Sequence, residues 1–320
     1  MRTGVVAASG LLLGFALDRV LGDPRRGHPV AGFGTAAMRL EQVGYRDQRA
    51  AGVVHEIVLV GGVTALAQAG VRAAGARSVG GVLVTALATW TALGGTTLAK
   101  TGREMANLLE SGDLEGARAL LPSLCGRDPE LLDADGLARA ALESIAENTS
   151  DATVAPLFWG AVAGAPGVLA YRAVNTLDAM VGYRNERYHR FGWAAARTDD
   201  LANLIPARVS GLLTTALAPV IGGRPAAAWR AWRRDAAKHP SPNAGVAEAS
   251  MAGALGVTLG GRTEYRHGVE MRPTLGDGPT PRVPDLRRAV RLSEAVQLAA
   301  AVAAAAFALS RTANSGGHAR

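Results

Sequence analysis

The chain contains a single cysteine, Cys125, in 320 residues. One thiol excludes an intramolecular disulfide framework and any cysteine-cluster metal site, and leaves Cys125 without an assignable role. Aromatic residues make up only 5% of the chain and charged residues 19%. No GxxxxGK[ST] phosphate loop occurs, so any nucleotide is held by other means. Neither a HExxH helix nor a GxSxG elbow is present, which argues against zinc proteolysis and ordinary serine hydrolysis. The net charge of +7 is scattered between apolar runs and not packed on one polar domain. That distribution points to anionic lipid and to positive cytoplasmic loops, with no nucleic-acid partner.

What the chain does have is 48% hydrophobic residues, 40 of its residues being glycine. The mean hydropathy of +0.13 fits a mixture of apolar spans and large polar loops. Apolar segments run over Val5–Leu17, Val53–Val71, Val79–Ala99, Val154–Ala170, Leu201–Ile221 and Ala289–Leu309. A helix needs roughly 20 apolar residues to cross a bilayer core, and the second, third and last segments meet this. The first resembles a signal-peptide core but runs into Asp18-Arg19-Val20-Leu21-Gly22-Asp23-Pro24 without a small-residue cleavage site, so it is expected to be retained. The fourth carries Pro156 and Pro166, and the fifth carries Asn203, Pro206 and Arg208. Those two are expected to be re-entrant or additional spanning segments, because irregular backbone at membrane depth survives only under cover of protein or water.

The expected fold is therefore an all-α, polytopic integral membrane protein with about four firm transmembrane helices plus those two segments. Arg19, Arg25, Arg26, Arg39, Arg46 and Arg49 place the first loop in the cytoplasm, and the most basic stretch, Arg224–Arg291, lies on the same side. One membrane domain, 1–320, then presents cytoplasmic loops at about 18–51, 100–153, 171–200 and 223–288.

Five polar clusters stand out in these loops. Asp18, Asp23 and His28 follow the first span, where they suit a cation or simply a helix end. Glu143, Glu147 and Asp151 recur at i, i+4 and i+8 within Glu143-Ser144-Ile145-Ala146-Glu147-Asn148-Thr149-Ser150-Asp151. On a helix they form a carboxylate stripe that repels itself unless solvent, arginine or a divalent cation intervenes. Asn175 and Asp178 stand one turn apart, and Tyr183, Arg184, Asn185 and Arg187 follow; guanidinium forks suit phosphate or carboxylate. Asp199 and Asp200 precede Asn203 and Arg208 at the mouth of an apolar segment, where an unpaired charge costs roughly 2.5–3.5 kcal/mol. An Asp200–Arg208 pair is the structural alternative to catalysis or cation binding. Lys238, His239, Ser241, Asn243 and Glu248 share a proline-stiffened loop. Polar groups at span ends, unlike the midplane sites of transporters, indicate an enzyme gripping a charged, phosphate-bearing substrate.

At these residues the chain resembles the CobD/CbiB family of cobalamin biosynthesis. The likeness rests on ESIAENTSD, YRAVNTLDAMVGYRNERY, DDLANLIPAR and KHPSPNAG followed by EA, in the family's order and over nearly the whole chain. The resemblance implies adenosylcobinamide-phosphate synthase activity in a multi-pass inner-membrane protein. Its substrates would be adenosylcobyric acid and (R)-1-aminopropan-2-ol or its O-phosphate, with ATP activating the carboxyl and Mg²⁺ as the metal. Association with the later, also membrane-bound pathway enzymes is a further implication. Under it, Glu147, Asp178, Asp200 and His239 are the expected catalytic residues. His28, Asn148, Asn175, Tyr183, Arg184, Asn185, Asn203, Arg208, Lys238, Ser241 and Asn243 are expected at substrate or phosphate. Glu143, Glu147, Asp151, Asp199 and Asp200 are expected at the metal. Two other classes are possible from the residues: a Mg²⁺-dependent membrane transferase, which would need regular DxxD pairs that are lacking here, and a non-enzymatic AmpE-like sensor, which would not need such dense polar loops.

Overall fold

The computed structural model describes the backbone of residues 1–24, 27–265 and 268–314, and side chains outside 262–270 and 312–314. Arg25 and Arg26, counted in the basic first loop, lie outside the described residues. The helices are α1 Thr3–Leu21, α2 Pro29–Gly44, α3 Arg49–Ala73, α4 Val79–Ala92, α5 Gly95–Glu110, α6 Leu114–Leu120, α7 Ala134–Thr149 and α8 Ala155–Val181. After them come α9 Tyr188–Phe191, α10 Trp193–Ala202, α11 Leu204–Leu217, α12 Pro225–Asp235, α13 Ala244–Leu255 and, at the end, α14 Val283–Asn314. Between α13 and α14 the strands β1 Leu259–Tyr265 and β2 Gly268–Leu275 form one antiparallel hairpin.

Among the described residues, six helical stretches are long and apolar enough to cross a membrane: Thr3–Leu21, Arg49–Ala73, Val79–Glu110, Ala134–Val181, Leu204–Ile221 and Val283–Arg311. The protein is thus the multi-pass helical membrane protein that its apolar runs foretell, with the hairpin as an addition. The expected third segment is interrupted at Leu93–Gly94, between α4 and α5.

The chain forms two compact units. The first comprises Met1–Gly94, Ala155–Asn203 and Ala300–Arg320. Its α1 packs on α4, and α3, α4 and α10 pack on α8. The buried hydroxyls of Thr85 and Thr89 donate back to Gly81 O and Thr85 O at 2.9 and 2.8 Å, which satisfies both where lipid replaces water. The doubtful fourth segment is helical but broken: Gly164 takes φ 66° and ψ −154° inside α8, two residues before Pro166. Only glycine adopts that conformation without strain. Arg311 donates to the carbonyl oxygens of Ala161 and Val162 freed at the break.

The second unit comprises Gly95–Val154 and Leu204–Ala299. In it α5 and α13 pack on α7, and α11, α12 and α13 pack on one another. Asp133 caps α7 by accepting from Gly136 N at 2.8 Å, and Asp135 in the first turn complements the helix dipole. At Ser150–Val154 the helix widens into a π turn.

Candidate functional site

In the second unit, three separated stretches converge. Glu143 and Glu147 stand one turn apart on α7, as their spacing requires. Asp151 falls in the π turn, whose wider winding rotates it off the i+8 register. Glu143 is 2% exposed and its oxygens are taken. Oε2 accepts from Arg127 Nη2 and from Arg272 Nη1 at 2.7 Å, and Oε1 accepts from Gly260 N at 2.8 Å. Gly260 reaches this position with φ 78° at a bulge in β1, where a Cβ would lie 2.0 Å from Pro273 O.

Glu248 on α13 is fully buried. Its Oε1 accepts from Arg272 Nη2 at 2.7 Å, while no described group donates to its Oε2. Arg272 Nη2 also lies 2.9 Å from His239 Nε2. On its other side the ring is held by the Ser241 backbone, where Nδ1 accepts from Ser241 N at 3.0 Å and lies 3.2 Å from Ser241 O. Oxygen atoms of Glu147 and Glu248 and a ring nitrogen of His239 lie within 4.8 Å of one another. Burial, then the Arg272 charge, lowers the His239 pKa and keeps the ring neutral. Burial, then the charge of Glu143, raises that of Glu248. Burial works against the Arg272 cation, but Glu248 and Glu143 more than offset it. Glu147 and Glu248 lie within hydrogen-bonding reach of one another, so one proton or one cation between them serves both carboxyl groups.

The loop after α12 positions His239. Buried Asp235 accepts from Arg234 Nε and Nη2 at 2.8 and 2.7 Å, from Lys238 Nζ at 2.8 Å and from Gly276 N at 2.9 Å. Burial opposes its ionisation, yet these donors hold the carboxyl well below the usual range. Lys238, expected at substrate, is thus ion-paired with Asp235. Ser241 Oγ accepts from Asn243 N at 3.3 Å and Ala244 N at 3.2 Å, which caps α13. Asn243 Oδ1 accepts from Arg208 Nη1 at 2.7 Å. Beside this loop a cavity of about 440 Å³ is lined by Arg208, Trp232, Arg233, His239, Pro240 and Val246, among others. Its volume is that of a small-ligand site, and its two guanidiniums suit an anionic group.

The first unit gathers a second cluster. Asp199 Oδ1 accepts from Asn175 Nδ2 at 3.3 Å and Oδ2 from Asn203 Nδ2 at 3.0 Å. Tyr171 OH donates to Asn203 Oδ1 at 2.8 Å, and Asp178 lies within electrostatic reach of Asp199 and Asp200. Burial, and secondarily Asp200, raises the Asp199 pKa against those amide hydrogen bonds. Asp200 sits 3.9 Å from Arg197, whereas Arg208 is occupied by Asn243 and Leu204 O.

Other expected site residues have local partners. His28 Nδ1 accepts from Val30 N at 3.1 Å and caps α2. Asn148 Nδ2 donates to Ser144 O at 2.9 Å. Asn185 Oδ1 accepts from Tyr188 N at 2.8 Å, while Tyr183 and Arg184 are exposed. Arg187 clamps buried Glu41 at 2.7 Å and stacks over Tyr45. Arg127 and Arg272 were not anticipated, and Glu248 was noted only at the end of its loop. Arg272 is 129 positions from Glu143, and no local motif marks it.

A multi-pass helical membrane protein with a buried carboxylate–imidazole–guanidinium centre beside an anion-suited cavity is the class that this fold and site define. The chain belongs to the CobD/Cbib protein family, whose model matches residues 11–293. It is 62% identical over 297 residues to a "Cobalamin biosynthesis protein CobD" of Mycobacterium tuberculosis, covering 93% of this chain and 94% of that protein. Proteins of the same description from Geobacter metallireducens and Rhodobacter capsulatus are 46% and 43% identical, covering 85% and 89% of this chain and 87% and 92% of their own lengths. No solved structure matches the chain.

Proposed function

We propose that the chain joins adenosylcobyric acid to (R)-1-aminopropan-2-ol or its O-phosphate by an ATP-dependent amide ligation in cobalamin biosynthesis. The observation that carries this reading is the convergence of Glu143, Glu147, Glu248, His239 and Arg272 beside the cavity bearing Arg208 and Arg233.

A carboxylate is a poor acylating agent, so it must first be activated. Its oxygen attacks the γ-phosphorus of ATP, the bond from that phosphorus to ADP breaks, and an acyl phosphate forms. The amine then attacks the acyl carbon, the C–N bond forms and inorganic phosphate leaves. Arg208 and Arg233 pair with the phosphate charge, and Arg272 holds Glu143 and Glu248 in register. A proton acceptor of the cluster, His239 or a carboxylate, takes the proton lost by the amine. Mg²⁺, which the family resemblance brings with ATP, supplies neutralisation of the phosphates, and Glu147 and Glu248 are the carboxylates placed to hold a cation. Glu143 has its hydrogen-bonding capacity filled by Arg127, Arg272 and Gly260, so its role is to orient Arg272.

Because ATP is cytosolic, the loops carrying this chemistry face the cytoplasm of the inner membrane, and the chain works against membrane lipid. The test is whether purified protein consumes ATP only when a corrinoid acid and the aminoalcohol or its phosphate are both supplied. Consumption with neither, or none with both, rejects the ligase; a sensor would show none.

A further inference from the structure

We propose that Glu147, Glu248 and His239 form a resident site for one divalent first-row cation that accepts mixed oxygen and nitrogen ligands, bound to the protein before any nucleotide. The inference deepens the ligase reading of the same centre and rests on it only for the use to which the ion is put.

Four observations point to a cation at these three residues. Their donor atoms already lie within 4.8 Å of one another, drawn from α7, α13 and the loop between α12 and α13. Glu248 is fully buried, and no described amide, alcohol or guanidinium group donates to its Oε2, where only the Glu147 carboxyl remains as a neighbour in reach of Glu248, while Oε1 stays with Arg272. A buried carboxylate oxygen left without a donor is costly, and a cation satisfies it directly. His239 is oriented as metal-bound imidazoles usually are: the Ser241 backbone engages its Nδ1, with N at 3.0 Å and O at 3.2 Å, and its Nε2 faces the carboxylates, 3.5 Å from Glu248 Oε1. Glu147 and Glu248 also face one another within hydrogen-bonding reach, and a cation between them takes the place of a shared proton.

Glu143 is no ligand, because both its oxygens are held by Arg127, Arg272 and Gly260. Arg272 Nη2 lies 2.9 Å from His239 Nε2; on metal binding it gives up that contact and keeps its two carboxylates. Mg²⁺ favours oxygen donors and keeps several waters, whereas an imidazole among the ligands favours later divalent ions. With His239 on the metal, the proton of the attacking amine passes to a carboxylate or to the departing phosphate.

Full-length protein in detergent, freed of metal and supplied with Mn²⁺ alone, provides the test. The loss of the free-ion resonance should report one tightly held Mn²⁺ per chain without nucleotide. Glu147→Gln and Glu248→Gln should each weaken it at least tenfold. Pulsed resonance should show coupling to a histidine nitrogen that disappears in His239→Gln. This last variant leaves every ion pair of Arg272 with a carboxylate in place, so it carries the test even if a carboxylate variant fails to fold. The proposal is overturned if no stoichiometric Mn²⁺ is retained, if a monodisperse Glu248→Gln protein binds it as well as the parent, or if the nitrogen coupling survives in His239→Gln. Amide synthesis by a chain that retains no ion would overturn this site and leave the ligase standing. A bound ion with no amide formed would do the reverse.

Discussion

Replacing Arg272 by alanine removes the one cation shared by two buried carboxylates. Its guanidinium is 2.7 Å from both Glu143 Oε2 and Glu248 Oε1, and the side chain is 15% exposed. Glu143 retains Arg127 and Gly260 N, but Glu248 loses its guanidinium donor altogether. Breaking a buried pair by deleting one partner costs about 3–5 kcal/mol, because the other charge stays behind uncompensated. Most of that loss should fall on Glu248, so Arg272→Ala combined with Glu248→Gln should recover about half of it. The Glu248 pKa is already raised in the folded protein, so below the ordinary carboxylate pKa both states are protonated and no penalty arises. The penalty grows as pH rises through the raised value, and the variant's deficit should be larger at pH 8 than at pH 5. Unfolding in mixed micelles, followed by tryptophan fluorescence, measures all three proteins. A single variant within about 0.5 kcal/mol of the parent, or a double variant no better than the single, would refute the reasoning.

Asp235→Asn should lose about 1–3 kcal/mol, the lower part of the range being expected because Arg234 and Lys238 are 42% and 51% exposed and screened by solvent. Since the folded carboxyl of Asp235 is depressed, its contribution is present above the ordinary carboxylate pKa and fades as pH falls below it; the asparagine variant should lack that acid limb in a pH series of unfolding. Ser241→Ala should remove the cap of α13 for about 1 kcal/mol, and a larger effect on amide synthesis than on stability would show that the cap also fixes His239. Arg184→Cys and Lys238→Cys should both be labelled by a membrane-impermeant thiol reagent only after the inner membrane is opened; labelling of position 184 from the periplasm of intact cells would contradict the cytoplasmic placement.

The helices were legible because apolar runs longer than a membrane's thickness leave few alternatives to a spanning helix. Pro156 and Pro166 signalled that the fourth segment would be irregular, and the break falls at Gly164, two residues before Pro166. The hairpin was not legible: β1 and β2 are short, glycine-bearing and rich in charged residues, so neither shows the alternation of a half-buried strand. With the hairpin went Arg272, whose partners are set by tertiary approach and by no spacing in the chain. Local chemistry was more readable. The prolines of the loop after α12 marked it as stiffened, and the His239 imidazole there has its Nδ1 tied to nearby backbone. The carboxylate stripe was visible as i, i+4, but the π turn that diverts Asp151 depends on packing around Ser150–Val154.

In the proposed reaction the acid is activated by phosphoryl transfer from ATP before the amine attacks. Corrinoid acid carrying ¹⁸O in its free carboxylate, incubated with the purified chain, ATP and the aminoalcohol phosphate, tests this directly. One ¹⁸O is expected in the inorganic phosphate released for each amide formed, with ADP unlabelled. Label in AMP, or amide formed with unlabelled phosphate, would contradict it.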